Sequence, residues 1–177
     1  RRFHGEEQPS DDEIRHYIHH SDYCIRFVAA MKTVGINSGY IGWRKPGGKV
    51  RSELVMEFLH HKDPRVRQII FKAIAQIGGV TDEIYGLAIQ AVKNPKESWS
   101  IKDVALQIIS KGTPTQILPL VEALLPYLKH EEAWLRNSAL TALAPVAGHE
   151  VCFKKILPAI GELVRTNHRV SVIHGFA

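Results

Sequence analysis

Apolar residues recur along the chain at i, i+3, i+4 and i+7, in segments that restart at a nearly constant interval. Taking Ile25, Val66, Ile101, Leu135 and Val170 as anchors, the gaps are 41, 35, 34 and 35 residues. After Val66 come Ile69, Ile70, Ala73, Ile74 and Ile77; after Ile101 come Val104, Ala105, Ile108 and Ile109; after Leu135 come Ser138, Ala139, Ala142 and Leu143. That spacing places each set on one buried face of a helix. Small residues recur on the same face, so neighbouring helices can approach closely. Gly35, Gly78, Gly112 and Gly148 follow the stripes, where a left-handed residue would stop a helix.

A second helix-length apolar segment precedes each anchor. Its start signals are readable: Ser10-Asp-Asp-Glu13 as a capping box, Thr81 or Asp82 as an N-cap, and Thr113-Pro114 as cap and first turn. The repeating unit is therefore a helical hairpin. ILPLVEALL from Ile117 and ILPAIGELV from Ile156 match 39 residues apart. Pro119, Pro126, Pro145 and Pro158 stand in otherwise helical text, where a missing N–H predicts kinks.

One octet stands out: HHSDYCIR at 19–26 returns as HHKDPRVR at 60–67. Aligned on the anchors, the position five residues before reads His20, His61, Lys96, His130 and Arg165. Three before, it reads Asp22, Asp63, Ser98, Glu132 and Asn167; one after, Arg26, Arg67, Lys102, Arg136 and Ser171. The first column predicts cations near the end of the first helix, facing its negative dipole. The second predicts N-caps at every copy but Glu132, and the third completes an acid–base pair four residues apart. Convergence of His20, His61 and His130 on a metal is disfavoured by Lys96 in the middle of the column.

Period, paired helices, mid-helix prolines and the Asp-to-Val-Arg spacing together resemble HEAT repeats, and the resemblance covers nearly all of the chain. It implies an all-α fold, a right-handed α-solenoid of about five helical hairpins in a single domain over 1–177. The copies fall at approximately 10–35, 50–78, 81–112, 113–148 and 150–177, with a glycine-rich loop at 37–49. It also implies an inter-repeat ladder in which each base reaches a neighbour's acid, interrupted at Ser98 and at Asn167 with Ser171. Deoxyhypusine hydroxylases, which have similar repeats, hold iron with His-Glu pairs. Here His130-Glu131 and His149-Glu150 fall at hairpin turns, in unlike surroundings.

Composition narrows the class further. With 177 residues, 45% hydrophobic, the chain can bury a core. No apolar run of membrane-spanning length and no signal peptide is visible, so no membrane is expected. The chain begins without Met and ends at HGFA, and reads as a piece of a longer chain. Cys24 and Cys152 lie about four repeats apart if the hairpins stack, so free thiols are expected, which tilts the reading toward the cytoplasm. The formal charge is +5, and no Walker loop, G-x-S-x-G, HExxH or G-x-G-x-x-G occurs. No catalytic residue, metal or cofactor is assigned.

Candidate binding residues are Trp43, Arg44, Lys45, Lys49 and Arg51, in the loop WRKPGGKVR, and Trp99 and Trp134 at two hairpin turns. The loop mixes one aromatic with bases and glycines, a composition suited to phosphate or carboxylate contact. A solvated connector with Trp43 packed back is the simpler reading. The function these features favour is a non-catalytic scaffold that presents a helical surface to another protein or to a neighbouring domain of its own chain. The alternative is a basic solenoid for nucleic acid or another polyanion, disfavoured because Glu53, Glu57, Asp103, Glu131 and Glu132 interrupt the bases. A third reading is an enzyme of unrecognised type.

Overall fold

The structure is a computed structural model that describes residues 9–38, 44–46, 50–77 and 80–166. Among the described residues the elements are helices and one short hairpin of strands. The chain divides into two compact units, Arg1–Ile77 and Gly78–Ala177.

In the first unit, α1 (Asp11–Tyr17) packs on α2 (Tyr23–Thr33), and α3 (Ser52–Leu59) packs on α4 (Pro64–Ile77), with α2 and α4 in contact. Between α2 and α3 run β1 (Ile36–Ser38) and β2 (Arg44–Pro46), antiparallel, with Asn37 opposite Lys45. The glycine-rich stretch was expected to be loop throughout. Ile36 is buried, which anchors the hairpin to the end of α2. Ser10 caps α1 in the expected capping box with Glu13, which settles two otherwise orphan N–H groups.

The second unit contains α5 (Asp82–Lys93), α6 (Trp99–Ile109), a helical rod over residues 114–129, α9 (Ala133–Leu143) and α10 (Glu150–Thr166). The rod is segmented into α7 (Pro114–Ile117), a 3-10 turn at Leu118–Leu120, α8 (Val121–Leu124) and a second 3-10 stretch at Leu125–Lys129. Pro119 and Pro126 explain the segments. Neither supplies the N–H that an α-helical bond needs, and the chain tightens to 3-10 at each. Pro145 does the same at Ala144–Val146, whereas Pro158 is accommodated inside α10. Thr81 is the N-cap of α5, and Thr113 forms a capping box with Gln116.

The apolar stripes form the core. Val66, Ile69, Ile70, Ala73 and Ile74 are buried in the first unit; Ile101, Val104, Ala105, Ile108, Ile109, Leu135, Ala139, Ala142 and Leu143 are buried in the second. Ile25 is only half-buried, and α2 relies instead on Ala29, Ala30 and Met31. Val170 lies outside the described residues, as do Asn167 and Ser171.

The glycines divide in role. Gly35 has φ 81°, the left-handed stop expected after α2. Gly112 is needed for space: a Cβ there would stand 2.7 Å from Cζ of Tyr85, whose hydroxyl donates to the Ile109 carbonyl. Gly148 has neither constraint, and Gly78 lies outside the described residues. Among the described residues, no helix is long and apolar enough to cross a membrane.

Candidate interaction surface and the hairpin turns

Each turn between paired helices leaves backbone groups that neither helix can satisfy. The octet supplies the missing partners, by a chemistry different from that expected. The amide of Asp22 donates to Nδ1 of His20 at 3.0 Å, that of Asp63 to Nδ1 of His61 at 3.0 Å, and that of Glu132 to Nδ1 of His130 at 3.1 Å. An imidazole nitrogen that accepts an N–H carries no proton of its own, so the hydrogen-bond network assigns the other ring nitrogen as the protonated one. These histidines therefore act as hydrogen-bond acceptors within the turn. His20 and His61 lie just past the ends of α1 and α3, and His130 is the C-cap of the 125–129 stretch.

The arginines complete the turn. Nη1 of Arg26 donates to the carbonyls of His20 and Ser21, both at 2.7 Å. Nη1 of Arg67 reaches His61 at 2.7 Å and Lys62 at 3.1 Å; Nη1 of Arg136 reaches His130 at 2.7 Å and Glu131 at 2.6 Å. Instead of reaching the acid of a neighbouring repeat, this nitrogen clamps two carbonyls of its own turn. The planar guanidinium suits that geometry, and such charge-assisted bonds are among the stronger ones.

The acids are also engaged locally. Asp22 caps α2 by accepting from the Cys24 amide, and Asp63 accepts from the Arg65 amide and pairs with its guanidinium at 2.8 Å. The Arg65 hydrogen bond holds the Asp63 carboxyl at about 2, below the usual carboxylate range, despite an opposing desolvation effect. Glu132 makes no side-chain cap and instead accepts the indole N–H of Trp134 at 3.0 Å.

The third turn is built otherwise. Its amide at Ser98 donates to the Glu97 carboxylate at 3.0 Å, and Lys102 stands where the other copies have arginine. Lys102 is buried, with Nζ 4.3 Å from the centroid of the Trp99 ring and 5.9 Å from that of Tyr127. Burial lowers its pKa, and the Glu97 charge partly offsets this. His130 lies against Trp99, with centroids 4.4 Å apart, and the Tyr127 hydroxyl donates to the Val92 carbonyl at 2.6 Å. Burial raises the Tyr127 pKa.

The candidate binding residues fall into three groups. Trp99 and Trp134 remain 48% and 42% exposed, each pinned by the contacts just described. Arg51 is committed to the scaffold: Nε pairs with Asp11 at 2.8 Å, Nη2 donates to the Pro9 carbonyl at 2.6 Å and Nη1 to that of Lys32 at 3.2 Å. It borders a cleft of about 520 Å³ lined by Asp11, Val50, Ser52, Glu53 and Leu54. Arg44 and Lys45 lie on β2, and Trp43 and Lys49 lie outside the described residues.

Among the described residues no group of three or more His, Cys, Asp or Glu side chains is gathered to hold a metal. His19 and His61 are in ring contact, with centroids 4.9 Å apart. Cys24 is free and exposed, and Cys152 is free and buried. Sequence reasoning passed over Tyr127, Glu97 and the outward face of α10. Tyr127 and Glu97 act through spatial neighbours that no spacing rule identifies, whereas Phe153 and Leu157 were readable as an i, i+4 pair.

No protein-family model matches the chain, and no curated protein matches it. A solved structure does: a crystal structure described as an engineered protein, from the Northeast Structural Genomics Consortium. It is similar with a TM-score of 0.53 and 20% identity, over 85% of this chain and 70% of that one. At that identity the likeness concerns the fold alone.

Proposed function

We propose that the chain is a non-catalytic scaffold: a HEAT-like solenoid that presents a helical surface to another protein, with the edge carrying Trp99 and Trp134 as the contact. One observation carries this reading. The recurring His, Asp and Arg positions, which could have formed a reactive cluster, are occupied by the backbone of their own turns, while two indoles on neighbouring hairpins stay half-exposed and conformationally fixed. A large aromatic side chain held in place before binding loses little rotamer freedom on association, the property of an interface hot spot. The engagement of Arg51 by Asp11 and two carbonyls removes one of the bases on which polyanion binding would depend.

The test is capture of binding proteins from a native lysate by the immobilised chain and by its Trp99→Ala and Trp134→Ala variants. The scaffold reading expects each variant to lose the same bound proteins by at least about tenfold, a hot-spot loss of roughly 1.4 kcal/mol or more. Retention should change little with salt. Steep salt dependence, with sensitivity to Arg44→Ala and Lys45→Ala instead, would replace this reading with the polyanion one.

A further inference from the structure

The turns before α6 and α9 share three features. Each has an acid four residues ahead of the anchor (Glu97, Glu131), an indole in the first turn of the helix (Trp99, Trp134) and a base one residue after the anchor (Lys102, Arg136). In the first turn these groups hold a cation. The Lys102 ammonium lies over the Trp99 ring, 4.3 Å from its centroid, and the Glu97 charge offsets part of its burial. His130 and Tyr127 close on the same indole, with centroids 4.4 and 6.4 Å away. In the second turn the base is engaged by the backbone: Arg136 is buried and its Nη1 clamps the carbonyls of His130 and Glu131. Trp134 is 42% exposed, and among the described residues no ring or cation lies against its faces. Its indole N–H donates to the Glu132 carboxylate at 3.0 Å, which sets that carboxylate at the edge of the ring with further lone pairs open. Glu131 is exposed and makes no ion pair among the described residues, and Lys129, two residues before it, is paired with Glu162 at 2.8 Å.

We infer that Trp134 docks an arginine of a protein partner, its guanidinium stacked on the open indole and its N–H groups donated to the carboxylates of Glu132 and Glu131. The inference rests on the scaffold reading of this edge and names the chemistry that the edge takes. Ring and charge select the same occupant. An indole face attracts a cation through its quadrupole, more strongly than the other aromatic side chains do. A carboxylate fixed at the ring edge adds a directional acceptor, so a planar fork that stacks and donates at once fits better than a compact ammonium. A carboxylate or phosphate on the partner would meet Glu131 and Glu132 as like charge, and an aliphatic side chain would cover the ring but use neither acid. The preceding turn shows that this chain already holds a cation with an indole and an acid placed four residues before the anchor. The hydrogen bond to Glu132 has also fixed the Trp134 ring in advance, so little side-chain freedom is lost on docking.

A blocked Gly-Arg-Gly tripeptide is the probe, titrated into the isotope-labelled full chain while the indole N–H resonances are followed by NMR. One stacked and paired side chain supports a dissociation constant on the order of 10 mM. The Trp134 resonance should move saturably over that range while the Trp99 resonance, whose ring is already occupied by Lys102, stays in place. Gly-Lys-Gly should bind at least about threefold more weakly, and the citrulline tripeptide, which keeps the shape without the charge, should leave the resonance unmoved. Glu132→Gln keeps an acceptor for the indole N–H and removes the charge, so it should weaken binding at least about threefold, with Glu131→Gln acting in the same direction. Amide spectra that superpose on wild type away from the turn establish that both variants are folded. No saturable shift at Trp134, an equal response to the citrulline tripeptide, or binding unchanged in both glutamine variants would each overturn the inference. Failure of the scaffold reading looks different. Captured proteins lost with Trp134→Ala while the arginine tripeptide leaves the resonance still would sink this inference and keep that reading; captured proteins indifferent to Trp134→Ala while the tripeptide binds would sink the scaffold reading instead.

Discussion

The turn before α6 and the turn before α9 solve the same problem with different residues. Both must satisfy the amide three residues before the anchor and accommodate a base one residue after it. Before α9, His130 accepts the amide and Arg136 clamps the carbonyls of His130 and Glu131. Before α6, the Glu97 carboxylate accepts the amide, and the base is Lys102, sheltered by Trp99 and Tyr127. Two positions differ together: one turn has a histidine nitrogen as acceptor with an arginine that clamps two carbonyls, the other a carboxylate as acceptor with a compact ammonium. The pairing is informative because the unusual residue on one side accounts for the unusual residue on the other: Glu97 offsets part of what burial costs the Lys102 ammonium.

This difference predicts unequal responses to removing the base. Arg136→Met should show the largest effect, on the order of 2–4 kcal/mol in urea unfolding, because it deletes two charge-assisted bonds and leaves two carbonyls unmet. Lys102→Met should cost within about 1 kcal/mol at neutral pH. The loss of its contact with Trp99 is offset by no longer burying a charge. Its sign should also drift with pH. A lysine whose folded pKa is lowered releases its proton more easily when folded, so wild type gains on the methionine variant as pH rises through that pKa toward roughly 10.4, the unfolded value. Equal losses for the two variants would mean that the two turns are energetically the same and that the arginine clamp adds nothing.

The helices and the core stripes were legible in the sequence because burial imposes periodicity, and periodicity survives without knowledge of the neighbours. Ile70, Ile101 and Leu135 are buried where the spacing placed them. The octet was legible as a recurrence but not as a mechanism. An acid four residues before an arginine reads the same whether the arginine meets a carboxylate or two carbonyls, and a histidine reads the same whether it donates or accepts. Gly112 was read as a helix stop by its position, although Tyr85, 27 residues earlier, sets its requirement. The strands at 36–38 and 44–46 are each too short to show alternation. Of the candidate binding residues, Trp99 and Trp134 kept the exposed turn positions that the sequence suggested, and Arg51 proved to be held by three groups.

The smallest effect separates the cap from the clamp in a single turn. Asp63 precedes α4, accepting from the Arg65 amide and pairing with its side chain, while Arg67 holds the carbonyls behind it. Asp63→Asn keeps a cap-competent side chain and loses the charge, so at pH 7 it should cost only a few tenths of a kcal/mol, up to about 1, since Arg65 is largely exposed and the pair is screened. The folded carboxyl titrates at about 2 and the unfolded one near 3.9, so the ionised form is favoured by folding. That contribution is complete above the unfolded value and is lost as pH falls through the window between the two. Urea midpoints of wild type and variant should therefore differ at pH 6 and converge by pH 2. A difference that persists unchanged at pH 2 would assign the effect to the shape of the cap rather than to its charge, and would leave the carbonyl clamp of Arg67 as the main electrostatic element of the turn.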